Sequence, residues 1–127
     1  MIKINPSVKK VLLIEDNTLT MIILESQFSQ NGFEVFKASD GQFGLETLQK
    51  EDFDLVLIDL NIPLISGKQL IKMIRKDLNK NNALIYAMSA GIDEQLGESL
   101  LKLGFNGYLN KPVKLIQKAE NLFLIGQ

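Results

Sequence analysis

Residues 55–63 read LVLIDLNIP. The run Leu55–Ile58 is apolar at every position, which fits a short strand covered on both faces, as in a parallel sheet. It ends on Asp59, and a carboxylate has no packing use at the tip of a buried strand. The same form recurs along the chain. Val11–Ile14 (VLLI) runs into Glu15-Asp16, and Leu84–Met88 (LIYAM) runs into Ser89. Glu34–Ala38 (EVFKA) is a further strand, and Gly107–Asn110 (GYLN) is a short one that meets Lys111.

Helical patterns fill the gaps. One begins near Thr18 and closes at Asn31-Gly32, where glycine suits the left-handed cap. Asp40-Gly41 turns into a second, QFGLETLQK. After Pro63 and Gly67, KQLIKMIRKDL places Leu70, Ile71, Ile74 and Leu78 on one side. Leu96, Leu100 and Leu103 stripe a fourth that Gly104 ends. Pro112 is expected to start a fifth, with Leu115, Ile116, Ala119, Leu122 and Phe123 on its inner side. This last stretch stays apolar through Leu124 and Ile125, which leaves two readings: a helix end tucked against the sheet, or exposed surface for a partner.

The expectation is therefore an α/β chain of (βα)5 form, a doubly wound five-stranded parallel sheet of order 2-1-3-4-5. Its 127 residues suit a single domain over 1–127, with the core at about 8–125. In such sheets ligands bind beyond the carboxyl ends of the strands, where strand order reverses. Glu15, Asp16, Asp59, Ser89 and Lys111 all fall on that rim.

Composition removes several classes of chemistry. The chain has no cysteine and no histidine, so it carries no thiol nucleophile, thiolate or imidazole metal site, or Ser-His-Asp triad. A metal would sit on oxygen ligands, which favours Mg²⁺, with Mn²⁺ or Ca²⁺ as alternatives. Fourteen basic and fifteen acidic residues give a net charge of −1 with no long tract of either sign, so direct nucleic-acid binding is not expected. The N-terminal apolar run is too short for a signal peptide or a membrane span, and cytoplasm is the expected location.

Crowded carboxylates repel, and a hard divalent ion relieves them. Such an ion, with an ammonium and a hydroxyl, can stabilise a transferring phosphoryl group, and a carboxylate can be the nucleophile. Asp59, mid-rim, is the candidate acceptor. Lys111 would neutralise the incoming charge and Ser89 would hydrogen-bond a phosphoryl oxygen.

The set Glu15-Asp16, Asp59, Ser89 and Lys111-Pro112, in this order on these strand ends, resembles the receiver domain of bacterial response regulators. DLNIPLISG (59–67) is similar to the family's phosphoacceptor loop, MSA (88–90) to its switch hydroxyl with a small neighbour, and YLNKP (108–112) to its aromatic-x-x-Lys-Pro signature. The resemblance implies Asp59 as phosphoacceptor and a Mg²⁺ site of Asp16, Asp59 and the Asn61 carbonyl, with Glu15 as auxiliary acid. It implies Lys111 as counter-ion, Ser89 and Tyr108 as the switch pair, and a Lys111-Pro112 bond that is commonly cis. The implied partners are a histidine kinase or histidine phosphotransfer protein and a downstream protein target. The face of helix four, strand five and helix five would respond to phosphorylation and could join two copies. Glu15 stands where Asp is more common in the family. Asn61 and Gly91 occupy positions that there influence hydrolysis of the acyl phosphate.

Two other functions fit the sheet less well. A flavin mononucleotide binder needs a neutral loop after the first strand, where Glu15-Asp16 would repel phosphate. A phosphatase of the haloacid dehalogenase type needs a second Asp two residues beyond the nucleophile, and Asn61 cannot act as its acid or base. A pure interaction module would have no reason to keep the crowded acids.

Overall fold

The computed structural model describes residues 1–127. Five parallel strands form the main sheet: β2 (Lys10–Ile14), β3 (Glu34–Ala38), β4 (Leu55–Asp59), β5 (Leu84–Ser89) and β6 (Gly107–Asn110). Their spatial order, β3-β2-β4-β5-β6, is the expected one. The pleat divides the buried strands between two cores. Val11, Leu13, Leu55, Leu57 and Met88 face one side, while Leu12, Ile14, Val56, Ile58, Ile85 and Ala87 face the other. A period of two on strands covered on both sides explains why no polar residue interrupts LVLI.

The second side is covered by α2 (Gly41–Lys50), α3 (Gly67–Lys72, continued by one π-helical segment to Asp77) and α4 (Glu94–Leu103), through Leu48, Leu70, Ile71, Ile74 and Leu100. The first side is covered by α1 (Thr18–Gln30), through Leu24 and Phe28. Side-chain caps start these helices: Asn17, Asp40, Ser66 and Asp93 each accept a backbone N–H of the first turn. Gly32 and Gly104, at φ +86° and +122°, end α1 and α4 as the sequence implied.

The expected fifth helix is absent. Residues 114–125 form an antiparallel hairpin, β7 (Lys114–Lys118) and β8 (Asn121–Ile125), and β1 (Ile2–Lys3) pairs with β8 to make a three-stranded sheet of order β1-β8-β7. This small sheet takes the second place beside α1. Leu124 is fully buried there, and Leu115 and Leu122 pack on the same core. Ile116, Phe123 and Ile125 lie on the opposite side of the hairpin by strand alternation. The helical spacing of these residues is therefore incidental. LFLI satisfies a two-sided strand as well as a helix, and the turn is made by Ala119 at φ +55°, without the glycine or asparagine that usually announces a hairpin.

Consequently the face expected from helix four, strand five and helix five is built differently. α4 and β6 contribute as expected, but their neighbour is the β1-β8-β7 sheet. Ile2 and Gly126 lie against β6, at Gly107 and Asn110 respectively.

Candidate functional site

The strand ends bring the predicted acids together at the switch point between β2 and β4. Glu15 follows β2 and is buried, Asp16 is exposed, and Asp59 ends β4 with 4% of its surface accessible. One oxygen from each of the three can be chosen so that all lie within 4.8 Å of one another. Lys111, just past β6, reaches back across the rim. Its Nζ donates to Asp59 Oδ2 at 2.7 Å and is also in ion-pair contact with Glu15 Oε1. The Lys111-Pro112 peptide is cis.

Backbone donors hold the remaining oxygens. Asn61 N–H donates to Asp59 Oδ1 at 3.0 Å, and Asn17 N–H donates to Glu15 Oε2 at 3.0 Å. Asn61 Nδ2 lies 3.3 Å from Ser89 Oγ, so the loop after Asp59 touches the hydroxyl at the end of β5. Tyr108 is on the same face of the sheet as Ser89, two residue pairs back along the ladder: Ala87 pairs with Tyr108 and Ser89 with Asn110. Its ring lies against α4 at Gly97, where a Cβ would come within 2.3–2.5 Å of the ring and hydroxyl. Only glycine leaves room for the ring in that position.

Two buried carboxyls this close do not share their protons equally. Glu15 is pushed up, first by burial and then by its hydrogen bonding with Asp59. For Asp59 burial acts in the same upward sense, but hydrogen bonding with Glu15, Lys111 and the Asn61 N–H outweighs it and holds the carboxyl below its ordinary value. Burial would lower Lys111, yet its bonds to Asp59 and Glu15 raise it. The rim thus presents an ionised Asp59 beside a fixed cation.

The residues fit a hard divalent ion. The donors are all oxygens, and Glu15 Oε1 is buried without accepting a hydrogen bond of good geometry, although the Lys111 ammonium is beside it. An ammonium bridging two of three carboxylates leaves the third, exposed Asp16, open to such an ion.

The structure brings together Glu15, Asp16, Asp59, Asn61, Ser89 and Lys111, with Tyr108 further along β6, its ring against α4. Two contributors were not read from the sequence. Gly97 lies within α4, and Asn110 ends the short strand β6. Only contacts between distant segments give either a role, so no local pattern could have singled them out.

The family model described as response regulator receiver domain matches residues 11–122. Among curated relatives, the chain is 30% identical over 106 residues to the uncharacterized transcriptional regulatory protein YcbL of Bacillus subtilis, a match covering 84% of this chain and 46% of that protein. It is 31% identical over 114 residues to the sensor protein GacS of Pseudomonas syringae, covering 87% and 13% respectively. The chain therefore spans less than half the length of these relatives.

Solved structures agree on the fold. The receiver domain of a Francisella response regulator superposes with a TM-score of 0.77 at 30% identity, over 82% of this chain and 84% of that one. A Saccharomyces cerevisiae receiver domain, solved with its histidine phosphotransfer protein, gives 0.77 at 27% identity over 83% and 79%. The receiver domain of a Pseudomonas aeruginosa sensor histidine kinase, which has a magnesium ion in its active-site cleft, gives 0.76 at 28% over 85% and 88%. With its strand order, its rim of acids and lysine, and a family match over most of its length, this chain belongs to the response regulator receiver domain family.

Proposed function

We propose that residues 1–127 form one receiver domain that accepts a phosphoryl group on Asp59 from a phosphohistidine partner in a two-component or phosphorelay system. The observation that carries this reading is the setting of Asp59: buried, ionised, and held between Lys111 Nζ and the Asn61 N–H beside two further acids. An oxygen of Asp59 bonds to phosphorus as the donor's N–P bond breaks, and the imidazole leaves with the electron pair and takes a proton from solvent. Lys111 neutralises charge on the phosphoryl oxygens, and Ser89 is placed to donate to one of them.

Asp16, Asp59 and the Asn61 carbonyl would hold Mg²⁺, or Mn²⁺, with Glu15 as auxiliary acid. When bound, such an ion neutralises the crowded carboxylates and the transferring phosphoryl group. The solved Pseudomonas relative with magnesium in its cleft supports this assignment. The chain acts as a switch that assists its own phosphorylation and dephosphorylation, and is not a turnover enzyme.

The surface beside the rim suits a docked donor. α1 exposes Leu19, Ile22 and Ile23, α2 exposes Phe43, and the loop after Asp59 exposes Leu64. Ile22 and Phe43 border a groove of about 310 Å³ that Glu15 and Asp16 also line. Apolar side chains around a polar site are the mark of a protein interface. The yeast complex of a receiver with a histidine phosphotransfer protein supports a histidine kinase or phosphotransfer protein as the partner. Ser89 and Tyr108 would form the switch, read by a downstream protein or a second copy at α4, β6 and the adjoining small sheet. No helix is long and apolar enough to cross a membrane, and cytoplasm is the compartment proposed.

The test is intact-mass analysis with phosphoramidate, with and without Mg²⁺. Wild type should gain one phosphoryl group only with Mg²⁺, and Asp59→Ala should gain none. An adduct of equal yield on Asp59→Ala would refute the assignment.

A further inference from the structure

Asn110, the residue before Lys111, is held from three directions. Its side-chain amide clasps the backbone of Ile92 in the loop that follows Ser89. Ile92 N–H donates to Asn110 Oδ1 at 2.6 Å, and Asn110 Nδ2 donates to the Ile92 carbonyl at 3.1 Å. Along the parallel sheet Asn110 pairs with Ser89, and Lys111 N–H donates to the Ser89 carbonyl at 2.9 Å. On the other edge of β6, Gln127 N–H donates to the Asn110 carbonyl at 2.8 Å. Gly126 is pressed so close that a Cβ would lie 2.5 Å from the Asn110 oxygen and 2.7 Å from its nitrogen.

One residue thus joins the loop after Ser89, the backbone of Lys111 and the segment leaving β8. The clasp on Ile92 is two-point and partly buried, so moving Ile92 without Asn110 would leave several polar groups unpaired. A concerted shift keeps every bond. There is space beside the loop for such a shift: Gly91 sits at φ +72° with nothing within 4 Å of where its Cβ would be. On the other side, displacement of Asn110 meets the Gly126 backbone directly, with no intervening side chain to absorb it.

We propose that Asn110 is a positioning residue that transmits the state of Asp59 to the β1-β8-β7 sheet, so that residues 114–127 change their presentation when the site is occupied. This rests on the phosphoacceptor reading above. It assigns the signal a route through the hairpin, separate from rotation of the Tyr108 ring against α4.

The test is amide hydrogen exchange with Mg²⁺, in the absence and presence of beryllofluoride as the stand-in for the phosphoryl group. In wild type, exchange should change about threefold or more in peptides covering 114–127 as well as around Ser89. Asn110→Ala, which cuts the clasp on Ile92, should keep the Ser89 response and lose that of 114–127. Gly126→Ala, which pushes the segment off Asn110 at the far edge of β6, should do the same and serves if Asn110→Ala does not fold. Hairpin responses of wild-type size in the variants would overturn the inference, as would a wild type that binds beryllofluoride with 114–127 unchanged. A wild type that binds none at all contradicts the phosphoacceptor reading itself, and the inference falls with it.

Discussion

The rim of the parallel sheet and the small antiparallel sheet beside α1 are built from equally short apolar runs, yet they carry information differently. On the rim three of the five strands run into a residue whose chemistry conflicts with its surroundings: Glu15 and Asp59 are buried acids, and Lys111 is a partly buried cation. Such conflicts persist only where something beyond packing maintains them. In the hairpin nothing conflicts. Leu115, Leu122 and Leu124 fill a core and Ile116, Phe123 and Ile125 face away from it, so the segment has a shape but no chemical signature. A site declares itself through polar residues in the wrong place, whereas a covering element needs only enough apolar surface.

The largest test of that contrast is in the hairpin. Leu124 is fully buried, so Leu124→Ala should cost about 3 kcal/mol in chemical denaturation, while Phe123→Ala, on the outer face, should cost about 1 kcal/mol. A helix with Leu122 and Phe123 on its inner stripe would reverse that ranking.

The rim should respond in its own way. Lys111→Met strands two buried carboxylates without their cation, and the loss should be about 2 kcal/mol in metal-free thermal unfolding, below the value for a fully buried pair because the lysine side chain is 24% exposed. Millimolar Mg²⁺ should restore most of it, since the ion supplies the missing charge. A variant as stable as wild type without metal would make the rim an ordinary acidic surface.

The smallest effect is the sharpest in sign. Ala119 holds a left-handed φ of +55° at the hairpin turn, which strains an L-residue. Ala119→Gly should stabilise the protein by about 1 kcal/mol. In a helix the same substitution would destabilise it by about 1 kcal/mol. Equilibrium unfolding of this one variant separates the two architectures.

Most of the main sheet was legible because its three central strands, β2, β4 and β5, are largely buried apolar runs and each helix has a side-chain cap or a terminal glycine. The rim was legible for a related reason: in a doubly wound sheet the topology fixes which strand ends converge, so the sequence alone places Glu15, Asp59, Ser89 and Lys111 side by side. The hairpin was not, because residues 115–123 satisfy two periods at once and Ala119 makes a turn that its type disfavours. Its third strand, Ile2–Lys3, is too short to signal itself and gains its place by pairing with β8. The roles of Gly97 and Asn110 were not legible for a third reason. Their roles are contacts, with Tyr108 and with Ile92 and Gly126, and a contact between distant segments leaves no mark on either segment alone.

The proposed switch depends above all on Asp59 as the group that takes the phosphoryl. Borohydride reduces an acyl phosphate on aspartate to homoserine, so reductive trapping after phosphoramidate treatment, followed by peptide mapping, locates the modified residue directly. The predicted result is homoserine at position 59 alone, formed only when Mg²⁺ is present. Reduction products at Glu15 or Asp16 in place of Asp59, or a phosphorylated protein yielding none at position 59, would contradict it.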